Sequence, residues 1–384
     1  MRVVLWGTYD TGKPRVRLLR DGVRQAGFEL IECHNDIWEG IEDKSQLTGF
    51  LNKLRLIYRW LGVYPKLMWR YLHLPAHDVV LVSYPGLLDV LLIRVFAWLR
   101  QVPVVWDVFI SAYDTVVEDR RMIASNHPLA WLLYMTEWLA VRVADCIFMD
   151  TQTHAKRIES LFNLPDGACG SIWVGVEAKK FPRIVDNFPV EAGQNSERPL
   201  QVLFYGQFIP LHGINYIVDA ARALRNENVN WILIGKGQEA QRIRQMFEAE
   251  PLPRLRWIEW VDYSELVSWI GQADICLGIF GTSKKAASVI PNKVFQIVSS
   301  GKPIITRDSP AIRELLSHCP PCVYLVQAGS ASALVDAIRE HMELIKHHQF
   351  RNCHEEAMTQ INVDAIGAQF RALLTSKLLF GEKK

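Results

Sequence analysis

The feature that most limits what this chain can fold into is a transition it makes twice. Residues 142–151, RVADCIFMDT, and residues 271–280, GQADICLGIF, each end a helical stretch in Ala-Asp and run straight into an apolar strand. Around each, short apolar runs alternate with longer stretches of helical period, and such alternation builds a parallel sheet from βαβ units. The first series opens with a strand over 2–6, a loop GTYDTG (residues 7–12), a helix over 16–25 entered through Pro14, and a strand over 28–33. It continues through strands 78–82, 102–106, 145–149 and 171–174 and helices 47–72, 87–99, 128–143 and 151–162. The second series places strands at 201–205, 230–234, 255–260, 274–279 and 303–306, with helices at 214–225, 238–248 and 265–269. The expectation is an α/β chain of two Rossmann-like domains with parallel sheets facing a central cleft, where ligands gather beyond the C-terminal strand ends. The N-terminal domain takes 1–180 and the second 200–362. Residues 181–199 read as a linker, polar and aperiodic, with Pro182, Pro189, Gly193 and Pro199. Residues 363–384 form a C-terminal helix whose apolar face can cross back to the N-terminal domain. The loop GTYDTG is not GxGxxG, so no dinucleotide fingerprint is claimed.

With 384 residues, 49% of them hydrophobic, the chain can bury two cores. A net charge of +2 argues against a surface given over to nucleic acid. The charge is uneven, however. Residues 45–77 hold no Asp or Glu, but they hold Lys53, Arg55, Arg59, Lys66 and Arg70. Trp60 and Trp69 fall in the same stretch, which suits an anionic membrane surface as well as a packed helix with a solvated basic face. No signal peptide is evident, and the most apolar window, 79–99, carries Pro85, Gly86, Asp89 and Arg94, which argues against a spanning helix. Seven scattered cysteines fit a reducing cytosol. Cys319 and Cys322 form a CPPC that reads as a turn, with a zinc site alongside His318, Cys353 and His354 as the less favoured alternative. The expected location is cytoplasmic, or peripheral on the inner face of the cytoplasmic membrane.

Residues 288–303, SVIPNKVFQIVSSGKP, carry the chemistry. A loop with Pro291 feeds a short helix over 293–298 that stops at Gly301, and Lys302 and Pro303 lead into a buried strand. The N-terminus of such a helix offers unpaired N–H groups and the positive end of a dipole to a phosphate. A lysine in that first turn opposes the dipole, so Lys293 is either a cation for a bound anion or a solvated surface residue.

The chain resembles the retaining glycosyltransferases of family 4, the group 1 glycosyltransferases, which have the GT-B fold. The resemblance rests on FYGQFIPLHGINYIVDAA (204–221), on GKG (235–237) after a strand, and on SVIPNKVFQIVSSGKPII (288–305) at matching spacing. It implies a nucleotide-sugar donor, UDP- or GDP-linked, on the second domain. The family holds the donor diphosphate with an Arg after a glycine and a Lys-Gly five residues later. Here Gln207 follows Gly206 and His212 precedes Gly213, so both cations are replaced. A protonated His212 and Lys293 are the groups left to supply that charge. Two family glutamates eight residues apart fall on Ser288 and Gln296, and Gln296 can still bond a ribose. Asn292 and Lys293 match the turn whose amides meet the phosphates. Val261, within 260–262, matches the region that meets the base, and Gly12 a glycine that admits the donor phosphate.

The same resemblance assigns the acceptor to the first domain. No His follows the strand at 102–106. Asp107 and Asp114 remain as carboxylates that orient or deprotonate the acceptor hydroxyl, or else act as a strand-end cap and a turn residue. Lys13 and Arg15, with Arg17, flank a helix start and bind an acceptor phosphate or simply face solvent. The implied reaction is hexosyl transfer with retention, needing no cofactor. With no DxD cluster after a strand, no metal is expected. The implied partners are a nucleotide-sugar, a saccharide or polyprenyl-diphosphate-linked acceptor of bacterial surface polysaccharide synthesis, and the anionic membrane surface. The replaced Gln207, His212, Ser288 and Gln296 keep an alternative open: a non-catalytic or differently reacting GT-B protein that binds a sugar nucleotide.

Overall fold

The computed structural model describes residues 1–37, 50–184, 198–347 and 353–379. Most of the expected linker, 185–197, lies outside the described residues, as do residues 45–49 of the basic stretch and the side chains of Lys53 and Arg55. The chain divides into two compact units, Met1–Gly175 with Val363–Lys384, and Val176–Asn362.

In the first unit, β1 (Arg2–Gly7) leads to α1 (Pro14–Gln25) and β2 (Glu29–His34). Then come α2 (Phe50–Leu72), β3 (Val79–Val82), α3 (Leu87–Leu99), β4 (Val104–Asp107), α4 (Pro128–Val143), β5 (Cys146–Met149), α5 (Gln152–Phe162) and β6 (Cys169–Ser171). The six strands are all parallel in the order β2-β1-β3-β4-β5-β6. Local signals set the helix starts. Pro14 and Pro128 occupy first-turn positions, and the Thr151 hydroxyl accepts from the His154 N–H at 2.9 Å. The expected strand 171–174 forms two residues earlier. Beyond Ser171 the carbonyls of Ile172 and Trp173 turn to the Arg15 guanidinium, which ends the ladder.

The inward faces of α2, α3 and α4 share one core with the sheet, through Tyr64, Leu67, Ile93, Ala97 and Ala140. A buried carboxylate pins α2 there. Asp89, on the first turn of α3, accepts from the Thr8 N–H at 2.7 Å and from the Tyr64 hydroxyl at 2.7 Å. Trp60 donates to the Thr8 hydroxyl at 3.1 Å, so two α2 side chains reach this knot. Burial pushes the Asp89 carboxyl up to about 6, against those hydrogen bonds. A folded value above the unfolded one means stability that is fully present below about pH 4 and is lost as pH rises through about 6. The loss reaches about 3 kcal/mol. Denaturant titrations from pH 4 to 7 should show wild type losing stability relative to Asp89→Asn across that window, and parallel curves would refute the assignment.

In the second unit the order is β7 (Leu200–Tyr205), α6 (Ile214–Ala223), β8 (Val229–Ile234), α7 (Ala240–Ala249), β9 (Leu255–Ile258), α8 (Leu266–Gln272) and β10 (Ile275–Leu277). It continues with α9 (Lys284–Ser288), α10 (Asn292–Ser299), β11 (Ile304–Arg307), α11 (Pro310–Arg313), β12 (Val323–Val326), α12 (Ala331–His347) and α13 (Glu355–Gln360). The sheet is again parallel, ordered β12-β11-β10-β7-β8-β9. The sequence reading misses β12 and α12. The CPPC is a turn into β12, with the Cys319 N–H bonded to the Val323 carbonyl. Cys322 is disulfide-bonded to Cys353, a pairing that the reading of a reducing compartment does not anticipate.

The last α-helix, α14 (Val363–Leu374), packs on α1 in the first unit and runs into a π-helical turn, Thr375–Leu379. The two helices touch backbone to backbone. A Cβ on Gly367 would lie 2.3 Å from the Gly22 carbonyl oxygen.

Candidate functional site

In the second unit, adjacent strands β7 and β8 end in glycines that allow a contact no other residue would. Gly206 has φ +140° and Gly235 has φ +149°. A Cβ on Gly235 would sit 1.9 Å from the Gly206 carbonyl oxygen. The Lys293 ammonium and the His212 ring converge on Gly206. The same construction at Gly206 finds Lys293 Nζ at 3.0 Å and His212 Cε1 at 3.2 Å. His212 closes a single 3-10 turn, Pro210–His212, and its Nδ1–H donates to the Gln207 carbonyl, which fixes Nδ1 as a protonated nitrogen. Gln207 itself is exposed.

Lys293 is the unusual member. Its side chain is 5% exposed, with the ammonium 3.7 Å above the centre of the Phe204 ring and 3.4 Å from the Gly278 carbonyl. Among the described residues no carboxylate pairs with it, and burial alone pulls its pKa well below the usual lysine value. The reading of Lys293 as a solvated surface lysine is therefore overturned. The Lys293 carbonyl accepts from the Tyr205 hydroxyl at 3.2 Å, which ties the first turn of α10 to the end of β7. That turn has Pro291 at its cap position, no side-chain cap and no acidic residue. Asn292 stands beside Lys293, half-buried.

One turn further, Gln296 is buried and donates from Nε2 to the Tyr263 hydroxyl at 3.2 Å; that hydroxyl donates to Glu177 at 3.1 Å. Half-buried Val261 lies two residues before Tyr263, so this chain of bonds fastens the loop after β9 to α10. Ser288 ends α9, buried, its hydroxyl donating to the Lys284 carbonyl at 2.9 Å. Exposed Lys236, between the two glycines of GKG, stands 5.4 Å over the Trp260 ring. The structure thus gathers Gly206, His212 and Lys293 at one point and ties the loop holding Val261 to Gln296. The sequence reading did not single out Phe204, Tyr263 or Glu177, because isolated aromatics and a lone glutamate read as core and surface.

In the first unit the loop after β1 is held by Asp10, which accepts from the Gly12 N–H at 2.9 Å, and by Arg17, which donates to the carbonyls of Thr11 and Gly12. Gly12 is exposed and Lys13 half-buried at the cap of α1. Sequence offers Asp107 and Arg15 to an acceptor; the structure spends them on each other. Arg15 Nε and Nη2 reach the two Asp107 oxygens at 3.0 and 2.8 Å, with both side chains essentially inaccessible. Asp114 is corrected for the same reason. It opens a π-helical turn, Asp114–Asp119, fully buried, and accepts from Arg157. A further buried pair was missed: His154 Nδ1 lies 2.5 Å from Asp150, and His154 Nε2 is buried with no partner among the described residues. A single histidine one turn into a helix gives sequence reasoning no signal.

Among the described residues no helix is long and apolar enough to cross a membrane. Residues 199–343, most of the second unit, match the family model described as Glycosyl transferases group 1. A protein of Escherichia coli (strain K12) named as a colanic acid biosynthesis glycosyl transferase, WcaI, is 25% identical over 165 residues, which span 42% of this chain and 40% of that protein. The sucrose-phosphate synthase of Thermosynechococcus elongatus shares the fold, with a TM-score of 0.69 at 16% identity over 100% of both chains. Anabaena HepE, solved with UDP, does so with a TM-score of 0.65 at 13% identity over 98% of this chain and 99% of that one. The resemblance to group 1 glycosyltransferases and the GT-B fold read from the sequence are both borne out.

Proposed function

We propose that this chain, which carries a group 1 glycosyltransferase domain, moves a hexosyl group from a UDP- or GDP-linked sugar to a hydroxyl of a saccharide or polyprenyl-diphosphate-linked acceptor. The reading adds retention of configuration, no metal and no cofactor, and a place in surface polysaccharide synthesis. The name of the matching WcaI points the same way. Its other partner is an anionic membrane surface on the cytoplasmic side.

One observation carries the reading. A buried ammonium with no carboxylate is costly unless an anion completes it, and Lys293 lies in the first turn of a helix with no acidic residue there. The donor diphosphate is that anion. Lys293, the first-turn amides at Asn292 and a protonated His212 neutralise the charge that develops as the bond from the anomeric carbon to phosphate oxygen breaks. The electron pair stays on the diphosphate, the acceptor oxygen bonds the anomeric carbon on the same face, and its proton leaves on the departing phosphate. Gly206, with no Cβ, leaves room for the phosphates, and the exposed Gln207 side chain stands beside them. Gln296 takes the ribose, Val261 flanks the base, and Ser288 stands where the sugar is read. In the first unit Gly12 leaves the loop backbone open and Lys13 is the cation assigned to an acceptor phosphate.

A thermal-shift comparison of UDP, GDP and ADP tests the reading. One nucleotide should raise the melting temperature, by the equivalent of about 2.7 kcal/mol at a hundred times its Kd. A flat response to all three would end the donor assignment. Binding of every hexose conjugate without turnover would leave a sugar-nucleotide-binding protein, the reading that the replaced Gln207, His212, Ser288 and Gln296 favour.

A further inference from the structure

The helices that cover one face of the first sheet turn an unusual surface outward. Packing requires α2, α3 and α4 to be apolar on the side that meets the strands, and α3 packs against both of its neighbours. Their outer sides are apolar as well. Trp69 on α2, Trp98 on α3 and Trp131 on α4 are 62%, 66% and 64% exposed. Val95 extends the exposed stripe on α3, and Leu132 and Leu139 extend it on α4. Single exposed apolar residues are ordinary on a protein surface, but stripes on three adjacent helices are not.

Charge selects what covers this face. The α2 sequence contains no carboxylate, α3 contains only Asp89 and α4 only Glu137. Both are buried and turned inward. Asp89 serves Thr8 and Tyr64, and Glu137 accepts from the Ser111 hydroxyl at 2.8 Å and from the Ala112 and Tyr113 N–H groups. No carboxylate therefore stands on the outer side of any of the three helices. Arg59 and Lys66 on α2 and Arg142 on α4 are exposed there. Tryptophan rings with basic residues and no acid match the boundary between anionic headgroups and acyl chains, where an indole keeps its N–H in a polar layer and its ring in an apolar one.

We propose that the outer face of α2, α3 and α4 docks on an anionic lipid bilayer, with Trp69, Trp98 and Trp131 at headgroup depth. The proposal rests on the membrane partner named above and extends it to α3 and α4, which lie outside the basic stretch. It does not depend on sugar transfer.

The test is co-sedimentation of the full chain with vesicles of phosphatidylcholine, alone or with roughly one-third phosphatidylglycerol. Wild type should bind the mixed vesicles, release as salt rises, and bind pure phosphatidylcholine more weakly. Trp98→Glu/Trp131→Glu should lower partition by about tenfold or more. Its melting temperature and its response to nucleotide should be unchanged, because both positions are on the surface. Arg59→Gln/Lys66→Gln should remove the preference for phosphatidylglycerol while keeping the fold. The proposal is overturned if wild type ignores both kinds of vesicle, or if the Trp variant binds them as wild type does. It is also overturned if wild type self-associates without lipid and the Trp variant is monomeric, since a second copy would then cover the face. Vesicle binding by a chain that no nucleotide stabilises would leave this proposal standing and the transferase reading refuted.

Discussion

Replacing Lys293 with Met should make the protein harder to unfold and unable to hold a nucleoside diphosphate. Both effects come from one ammonium, buried above the Phe204 ring with a carbonyl 3.4 Å away as its hydrogen-bond acceptor. Methionine keeps the apolar stem against that ring and removes the charge, which should gain on the order of 1–3 kcal/mol at neutral pH. The sign of the pH dependence is fixed by the direction of the shift. Burial lowers the folded-state pKa of Lys293, so the unfolded chain binds the proton more tightly. This contribution to wild-type stability rises with pH between the folded value and the ordinary lysine value near 10.4. The advantage of Lys293→Met is therefore full below that window and vanishes above it. Ligand binding runs the other way. A diphosphate raises the Lys293 pKa, so binding takes up a proton within the window and weakens as pH increases. Losing charge-assisted contacts of about 1.5–3 kcal/mol each should weaken the nucleotide by roughly a hundredfold or more. Calorimetry in two buffers of different ionisation enthalpy reads the proton uptake, and denaturant titration reads the stability. Equal nucleotide affinity in the two proteins would remove Lys293 from the donor site, and a less stable Lys293→Met would show that the buried charge is not the penalty inferred here.

The same residue shows where sequence reasoning stops. Strand–helix alternation and the two Ala-Asp transitions made both parallel sheets legible, because apolar runs between helical periods have few other ways to be covered. The helix at α10 was legible for a similar reason, with Pro291 ahead of it and Gly301 behind. Whether Lys293 faced solvent was not, since that depends on β7 and β10 bringing Phe204 and Gly278 to it from far away in sequence. Arg15 and Asp107 are 92 residues apart, and each alone reads as a polar group at the end of an element. Only register between β1, β3 and β4 places one against the other. The exposed tryptophans on α3 and α4 are the converse case. A helix apolar on every side reads as buried, yet one side of each meets solvent.

Asp107→Ala should cost the first unit about 3–5 kcal/mol, a structural effect that a turnover assay by itself would mistake for catalysis. Arg15 crosses the end of the sheet with almost every N–H committed. Two nitrogens meet Asp107, and Nη1 donates to the carbonyls of Ile172 and Trp173 at 2.6 and 2.8 Å. Its guanidinium carbon lies 5.4 Å from the centre of the Phe148 ring and 5.5 Å from that of Phe109. Burial pushes the Asp107 carboxyl up and Arg15 opposes it, so the carboxylate depends on this one cation. Deleting the carboxylate strands a guanidinium in a site closed to water, and the penalty is that of an unpaired buried charge, larger than the net worth of the pair. Arg15→Met/Asp107→Leu removes both charges at similar volume and should recover most of the loss, so the two single variants and the double variant form a strongly non-additive cycle. Denaturant titration of the four proteins measures it. If Asp107 instead acted on an acceptor hydroxyl, Asp107→Ala would unfold at the wild-type midpoint while losing turnover, and the double variant would be stable and inactive. A destabilised Asp107→Ala with a stable, active double variant would leave the pair as the clamp that holds β4, α1 and the end of β6 together.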